Sequence, residues 1–381
     1  MSGYIYMHRW EKGRIVAGYV PWDDAKIHVL SHVIHYSSGV FEGIRGYVTD
    51  RGVAIFRGRD HYRRLVRSAK IYRMFPEDYA PEDLRDGEHI SMERLVSYFM
   101  DLTKDLIRKN SLYEKAQEVR ERGEMANPFV YIRPVIYRGY DVTEDPILKP
   151  PLGVNPLNNP VEWFIATFLW DDYLGTAAIE RGADVVTSAW AKNAPSTTPF
   201  MAKGASNYAV GQLAKMEAVL SAMFKRPDIK RRFLSGEGIT PDDLFLPVES
   251  VQLTVSGHVA EGTGENIFIV MYEDGDPSKA TIYTPPLSAS ILPGITRDSV
   301  IRIAKDLGYP VVETMIPREM LYIADEVFFT GTAAEVTPIR SVDGIPVGEG
   351  RPGPVTLKIR ERYTKIARGQ LEDPYGWVEY V

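Results

Sequence analysis

The chain has 381 residues, of which 44% are hydrophobic and 25% are charged, fractions that are ordinary for a globular protein in water. They exclude a fibrous chain, a wholly disordered chain and a membrane protein with many spans. The formal net charge of −6 provides no general attraction to nucleic acid or to anionic lipid. The sequence has no cysteine, which excludes disulfide bonds, thiolate catalysis and cysteine-bound zinc.

Hydropathy predicts neither a leader nor a membrane anchor. The opening residues, MSGYIYMHRWEKGR, lack the apolar core of a signal peptide. The longest apolar stretch, at residues 163–170, is much shorter than the ~20 residues that cross a bilayer. We therefore expect a cytoplasmic protein that binds neither membranes nor nucleic acid.

Hydrophobic periodicity predicts strands and helices in the first part of the chain. The predicted strands cover residues 13–19, 53–57, 129–137 and 163–170, and the predicted helices cover residues 61–74 and 91–109. Ser91 is suited to cap the second of these helices. The charged segment 113–128 is predicted to be exposed, and segment 141–160, which holds five prolines, is predicted to be a long loop.

The second part of the chain continues the mixture after a predicted boundary at residues 171–175. The predicted strands cover residues 183–190, 250–255, 267–272, 281–283 and 325–330, and the predicted helices cover residues 205–225, 296–307 and 354–368. A charged insertion with Pro and Gly occupies residues 226–247. Because strands and helices do not alternate regularly, the pattern favours an α+β fold over a doubly wound parallel sheet.

Three histidines are a candidate metal site. His28, His32 and His35 would lie on one face of a helix, where three imidazoles can bind zinc. No acidic residue accompanies them, and the surrounding apolar residues also suit a strand, which would divide them between two faces. Core or interface histidines are therefore the favoured interpretation.

A glycine run near the end of the chain is a candidate nucleotide site. Gly348-Glu-Gly-Arg-Pro-Gly353 has the glycine spacing of a dinucleotide-binding loop. The chain ends at residue 381, too soon for the βαβ unit that such a loop serves, and Pro352 lacks the amide that a phosphate would use. The run is predicted to be a turn that leads into a helix.

Four weaker signals share one chemistry. Lys203 lies among small residues, where desolvation favours the neutral amine that attacks a carbonyl. Thr296 is predicted to cap a helix whose first amides could bind phosphate, and the small residues of segment 330–335 offer further amides. Glu261 is a carboxylate between glycines and an apolar run. An amine, a phosphate site and an acid for a ring nitrogen are what pyridoxal phosphate (PLP) requires.

Several segments, in this order, resemble the branched-chain amino-acid aminotransferase family, whose members are class IV aminotransferases of PLP fold type IV. They are residues 35–45 (HYSSGVFEGIR), 57–72, 131–134 (YIRP), 203–208, 261–268, 292–298 and 331–338. Their order and combination are far more specific than any one of them. The resemblance is interrupted by insertions at 113–128, 141–160 and 226–247, and Thr254 stands where an aspartate is common in the family.

The resemblance implies a role for each matching residue at the cofactor. Lys203 would bind the cofactor covalently and then move the proton in the reaction, and Glu261 would contact the pyridine nitrogen. Tyr208 would reach the ring hydroxyl. The phosphate would be bound by Arg64, the amides of Ile295 and Thr296, and Thr332.

The resemblance also implies a substrate site. The carboxylate would be bound by Tyr131, Arg133, Thr332 and Ala333. The apolar side chain would be bound by Phe41, Trp170, Tyr173 and Tyr208, with Tyr36 donated by a neighbouring subunit. Leucine, isoleucine and valine differ by at most one methylene, worth only ~1 kcal/mol of burial, so such a pocket should accept all three.

The implied architecture is an α+β fold with the cofactor at the interface of two α/β domains. It has a smaller N-terminal domain (1–165), an interdomain loop (166–175) and a larger C-terminal domain (176–381) whose barrel-like sheet carries Lys203. The implied reaction is transamination of branched-chain L-amino acids with 2-oxoglutarate, in a homodimer or higher oligomer. Whether the enzyme makes or degrades these amino acids stays open.

Two other classes of function remain at this point. The same fold could serve a D-amino-acid aminotransferase or a PLP lyase, although residues 131–133 and 331–337 favour the branched-chain type. The chain could also be a binding protein that kept the fold and lost activity, although the set of Lys203, Glu261 and Arg64 argues against that.

Overall fold

The structure is a computed structural model that describes residues 3–86, 89–141, 147, 152–171, 178, 180–237 and 248–381. It forms two compact units. The first contains Met1–Asp171, Ala202–Ser206 and Ile366–Val381, and the second contains Asp172–Met201 and Asn207–Lys365. The expected boundaries differ from these in one important respect, because they assigned Lys203 and the C-terminal residues to the second domain.

Both strands and helices form in the first half of the chain. The strands are β1 (Tyr4–Glu11), β2 (Arg14–Pro21), β3 (Gly39–Phe41), β4 (Ile44–Thr49), β5 (Gly52–Phe56), β6 (Arg85–Asp86), β7 (His89–Ile90), β8 (Phe129–Arg138) and β9 (Val161–Trp170). The helices are α1 (His32–Tyr36), α2 (Gly58–Ile71), α3 (Pro76–Tyr79), α4 (Met92–Lys109) and α5 (Leu112–Glu121).

The second half of the chain has the same mixed character. The strands are β10 (Ala183–Thr187), β11 (Val248–Leu253), β12 (His258–Gly262), β13 (Asn266–Glu273), β14 (Asp276–Thr284), β15 (Val311–Glu313), β16 (Ile316–Pro317), β17 (Glu326–Gly331), β18 (Glu335–Val342), β19 (Ile345–Pro346) and β20 (Val378–Tyr380). The helices are α6 (Tyr208–Phe224), α7 (Pro227–Ser235), α8 (Ile295–Asp306), α9 (Met320–Ile323) and α10 (Pro354–Ala367).

An antiparallel sheet is the framework of the first unit. Its strand order is β2-β1-β9-β8-β4-β5-β20, and β3 also pairs with β8. Side chains alternate between the two faces of β8. Ile132 and Ile136 enter the hydrophobic core with residues of α2 and α4, so Tyr131 and Arg133 lie on the opposite face.

Helix α4 confirms the predicted helix at 91–109. It follows Ser91 directly and buries Leu95, Phe99 and Leu106 as an apolar stripe. Ser91 occupies the N-cap position, but its hydroxyl makes no capping hydrogen bond with any described residue. Burial of the stripe, rather than the cap, therefore stabilises this helix.

Hydrogen bonds explain why Lys203 belongs to the first unit. The Phe41 amide donates to the Lys203 carbonyl at 3.1 Å, and the Lys203 amide donates to the Ser68 hydroxyl at 3.0 Å. Gly204 forms a β-bridge with Val40. The segment is thus bound to β3 and α2 by backbone contacts that cannot be read from local sequence.

The C-terminal residues join the same unit because β20 extends its sheet. Val378 pairs with Phe56 at the edge strand β5. The Arg57 amide also donates to the Trp377 carbonyl at 2.6 Å.

A mixed sheet is the framework of the second unit. Its order is β15-β14-β13-β17-β18-β10-β11-β12-β16, and β19 pairs with β18. The first and last strands of this order are separated in the chain by Thr314 and Met315 alone. The sheet therefore curls back on itself, and its interior is filled mainly by Val, Ile and Phe side chains.

The glycine run at 348–353 is the turn before α10, which confirms the predicted turn. Gly348 and Gly350 have positive φ values of 51° and 70°. The amides of Val355 and Thr356, at the start of α10, donate to the buried Glu326 carboxylate at 2.9 and 2.7 Å. The protein's own carboxylate thus occupies the helix start that a nucleotide phosphate would need.

Charged sequence conceals two helices. Helix α5 lies in the segment 113–128, and α7 lies in the insertion 226–247. The described part of segment 141–160 contains one 3₁₀ turn, Pro156–Asn158, and residues 142–146 and 148–151 lie outside the described residues. Among the described helices, none has both the length and the apolar character needed to cross a membrane.

Candidate functional site

The residues singled out in the sequence fall into two groups, one in each unit. The first unit holds Tyr36, Phe41, Arg64, Tyr131, Arg133, Trp170 and Lys203. The second holds Tyr208, Glu261, Ile295, Thr296, Thr332 and Ala333. Tyr173 lies outside the described residues.

Lys203 is a partly buried amine of unusual basicity. Burial, and after it the Arg64 guanidinium, lowers the pKa of Lys203 to about 8. Its Nζ lies 5.0 Å from the centroid of the Phe41 ring. A lysine with this pKa is partly neutral near pH 7, as addition to a carbonyl requires.

A buried carboxylate fixes the plane of Arg64 on α2. Arg64 donates to Glu42 from Nε to Oε1 at 2.6 Å and from Nη2 to Oε2 at 2.8 Å. His61 Nδ1 lies 2.7 Å from the same Oε2. Burial alone would raise the pKa of Glu42, but Arg64 and then His61 outweigh it and lower this pKa to about 2.

Neither Glu42 nor His61 was singled out in the sequence. Glu42 stands within the matching segment 35–45, and His61 stands three residues before Arg64. That helical spacing could have indicated that His61 and Arg64 share a face and a partner.

Tyr131 and Arg133 form a polar group on the face of β8 opposite the core. Arg133 donates from Nη2 to the Tyr131 hydroxyl at 2.8 Å, and its guanidinium carbon lies 4.8 Å from the centroid of the Phe41 ring. Its Nε is buried and makes no hydrogen bond within the described part of the chain. A buried cation with an unused donor suits a ligand carboxylate.

Aromatic rings extend this face toward the end of β9. The Trp170 ring meets the Tyr131 ring edge-on, with centroids 4.8 Å apart. The Phe168 ring lies 5.4 Å from Tyr131, since the two residues are paired in the β8–β9 register. Phe168 was missed because strand 163–170 is apolar on both faces, so that only the pairing identifies its neighbour.

Tyr36 is a surface residue of the single chain. It ends α1, its side chain is 43% exposed, and its ring lies 4.6 Å from that of His32. Its exposure leaves it available to a neighbouring molecule.

The three histidines have separate partners. His32 contacts Ser38 Oγ through Nδ1 at 2.7 Å and the Gly153 carbonyl through Nε2 at 2.9 Å. His35 contacts the Val29 carbonyl, and His28 stacks on Tyr140. These contacts direct the three rings to different parts of the unit.

Glu261 is a fixed and buried carboxylate in the second unit. Its Oε2 accepts hydrogen bonds from Asn266 Nδ2 at 2.9 Å and from the Leu292 amide at 3.0 Å. Its Oε1 lies 2.6 Å from Lys192 Nζ, and both residues are more than nine-tenths buried. Lys192 and Asn266 were not singled out in the sequence, although Asn266 lies within a matching segment.

Helix α8 begins one residue earlier than predicted, and the prediction of Thr296 as its N-cap is wrong. The N-cap is Gly294. Asn266 explains the difference, because a Cβ at Gly294 would overlap the Asn266 side chain. The first helical bond runs from the Asp298 amide to the Gly294 carbonyl, so the amides of Ile295 and Thr296 lie in the first turn, at the positive end of the helix dipole.

Thr332 and Ala333 belong to a three-residue turn between β17 and β18. The strands close around the pair Gly331 and Glu335, and both turn residues are partly exposed. Tyr208 is the first residue of α6 and is partly buried.

Comparisons with known proteins agree with this geometry. The class IV aminotransferase family model matches residues 248–342. The chain is 41% identical to the branched-chain-amino-acid aminotransferase of Escherichia coli, over 98% of this chain and 96% of that protein. It is 35% identical to the enzyme of the same name from Pseudomonas aeruginosa, over 97% and 95% of the two chains.

Solved structures give the same result. The crystal structure of the Escherichia coli branched-chain amino acid aminotransferase has a TM-score of 0.72 and 38% identity, over 100% of this chain and 99% of that one. A bacterial enzyme of the same name, complexed with N-(5'-phosphopyridoxyl)-L-glutamate, has a TM-score of 0.71 and 37% identity over the same shares. The enzyme from Thermobaculum terrenum, in its PLP form, has a TM-score of 0.67 and 27% identity, over 99% and 98% of the two chains.

Proposed function

Because the chain belongs to the branched-chain amino-acid aminotransferase family of class IV aminotransferases, we propose that it transfers the amino group of leucine, isoleucine or valine to 2-oxoglutarate. The cofactor is pyridoxal phosphate, with which the related Thermobaculum terrenum structure is described. The observation that carries the proposal is Lys203, an amine whose pKa of about 8 suits it to bind a carbonyl group and to exchange protons near neutral pH.

The donor chemistry of both units fits this cofactor. A partly neutral amine suits an aldehyde, a guanidinium and helix-start amides suit a phosphate, and a buried carboxylate suits a pyridine nitrogen. When bound, pyridoxal phosphate supplies an aldehyde that condenses with amines and a ring that accepts the electron pair left at Cα.

Each side chain has one task in this proposal. Lys203 Nζ holds the cofactor and, once displaced by the amino substrate, moves the proton from Cα to C4′. Glu261 accepts a hydrogen bond from the ring nitrogen, and Tyr208 orients the ring hydroxyl. The phosphate is bound by Arg64, the Ile295 and Thr296 amides, and Thr332.

The amino acid is recognised by charge at one end and by burial at the other. Arg133, with its unused Nε, and Tyr131 bind the carboxylate together with the amides of Thr332 and Ala333. Phe41, Trp170 and Tyr173 enclose the aliphatic side chain. Arg133 or Tyr131 also binds the second carboxylate of glutamate, and the phosphopyridoxyl-glutamate complex of the related bacterial enzyme supports that pairing.

The assembly and location follow from the same family relationship. The enzyme is proposed to be a cytoplasmic homodimer, or a larger assembly of such dimers, in which Tyr36 reaches the substrate site of the neighbouring subunit. The exposure of Tyr36 on α1 supports this role.

The visible absorption spectrum tests the proposal. Purified protein incubated with pyridoxal phosphate should acquire a yellow band that L-leucine bleaches, whereas Lys203→Ala should show no competent cycle. A band that responds to D-alanine and not to L-leucine would replace the branched-chain assignment by a D-amino-acid aminotransferase. A protein that takes up no cofactor would overturn the proposal.

A further inference from the structure

Lys192 is a buried cation beside the carboxylate assigned to the cofactor ring. It lies in the loop after β10, where its amide donates to the Leu253 carbonyl at 2.7 Å. Its Nζ lies 2.6 Å from Glu261 Oε1 and 5.1 Å from the centroid of the Phe200 ring. The loop is therefore anchored to β11 in a position that brings the ammonium to Glu261.

The hydrogen bonds of Glu261 leave its two oxygens unequal. Oε2 already accepts from Asn266 Nδ2 and from the Leu292 amide, whereas Oε1 is paired with Lys192. A carboxylate oxygen accepts about two hydrogen bonds. A further donor, such as a protonated ring nitrogen, would therefore bind Oε1 and meet Lys192 there.

We propose that Lys192 is a positioning residue that shares Glu261 Oε1 with the pyridine nitrogen of the cofactor and so limits how fully that nitrogen is protonated. This inference rests on the proposed function, in which Glu261 is the partner of the ring nitrogen.

The electrostatic argument has two parts. A buried carboxylate without a counter-ion is costly, so Lys192 keeps Glu261 charged and in place before the cofactor binds. Once the cofactor is bound, two cationic donors compete for one oxygen in a medium of low dielectric constant, where their repulsion is strong. Removal of the ammonium should therefore move the shared proton toward the ring nitrogen.

Nuclear magnetic resonance of pyridoxal phosphate labelled with ¹⁵N in the ring tests this inference directly. The free cofactor at low and high pH supplies the protonated and unprotonated limits of the resonance. Compared with the wild-type holoenzyme, Lys192→Met should shift the bound resonance toward the protonated limit. Lys192→Arg, which keeps the charge, should remain near the wild-type position.

A matched control is Lys215→Met. Lys215 pairs with Glu249 at 2.8 Å in the same unit, so this variant also removes an ammonium from a buried carboxylate. Its ring-nitrogen resonance should stay at the wild-type position. Circular dichroism checks that each variant is folded, and Lys192→Gln, which keeps a donor without the charge, gives an intermediate shift if Lys192→Met does not fold.

The outcomes separate this inference from the function on which it rests. If wild type and the folded Lys192 variants share one resonance, Lys192 is structural and the inference is wrong, while the function stands. If the wild-type protein shows no resonance of bound cofactor, both the proposed function and the inference are overturned.

Discussion

Glu42 acts on the proposed phosphate site through another residue. It is fully buried and binds Arg64 with two hydrogen bonds, so it determines where the guanidinium lies. Bonds between charged groups contribute about 1.5–3 kcal/mol each. The position of Arg64 therefore depends on a carboxylate that never needs to touch the cofactor.

We predict that Glu42→Gln weakens binding of pyridoxal phosphate by about 10- to 100-fold, because the loss of one charged hydrogen bond corresponds to that ratio. Equilibrium titration of the apoenzyme measures the change. The control is Glu93→Gln, which removes a carboxylate from Arg63 on the exposed side of the same helix and should leave the affinity within about twofold. Equal effects of the two substitutions would contradict the role of Glu42.

The lowered pKa of Glu42 also predicts how stability depends on pH. In the unfolded chain this carboxyl takes up a proton near its ordinary pKa of 4.5, whereas in the folded protein it does so only near 2. The stabilisation is therefore complete above pH 4.5 and is lost as the pH falls from there toward 2, by about 3 kcal/mol. Urea unfolding at pH 5.5 and 3.5 should show a smaller loss in Glu42→Gln than in the wild type.

At the scale of elements, the start of α8 depends on a contact with β13. Gly294 has an ordinary φ of −68°, so backbone strain does not require glycine there. The requirement is steric, because a Cβ would overlap the Asn266 side chain, which in turn bonds Glu261. The helix start and the carboxylate are thus held in register by one asparagine.

We predict that Gly294→Ala destabilises the protein by about 1–3 kcal/mol through overpacking and also weakens cofactor binding. Gly264→Ala is the control, since a Cβ there meets no atom within 4 Å. In an Asn266→Ala background the cost of Gly294→Ala should fall, which a double-mutant cycle in urea measures. Strict additivity would show that the contact with Asn266 is not the cause.

The same elements show what local sequence can and cannot predict. The apolar stripe of α4 and the strands 129–137 and 163–170 are periodic, so their existence and their approximate bounds were predictable. The N-cap of α8 could not be found in the same way, because the constraint on Gly294 comes from a distant strand. Helices α5 and α7 were missed because their sequences are largely charged, which conceals the apolar stripe.

The candidate site was predictable to a similar depth. Lys203, Arg64 and Glu261 stand in recognisable segments, and the structure places them in surroundings that suit their expected chemistry. Lys192 has no such signal, because its pairing with Glu261 depends on how β10 and β11 align. Partners that are distant in sequence, and not the reacting groups themselves, were therefore the part that only the structure supplied.

At the scale of the whole molecule, chain order and spatial organisation differ. The first unit is completed by two late segments, one of which carries Lys203 and the other β20. The chain must therefore return to the first unit after most of the second has been synthesised. Such long-range pairings are slow to form, since loop closure precedes any gain from the contact.

We therefore predict that the last residues of the chain stabilise the first unit rather than the second. Deletion of residues 374–381 removes β20 and the buried Trp377. Loss of a buried Trp costs about 3–5 kcal/mol, so the unfolding temperature should fall by roughly 10 °C. Trp377→Ala alone should account for part of this fall, and hydrogen exchange should show the loss of protection in β5 and not in β13. A truncated protein that melts like the full chain would show that β20 contributes nothing to the unit it joins.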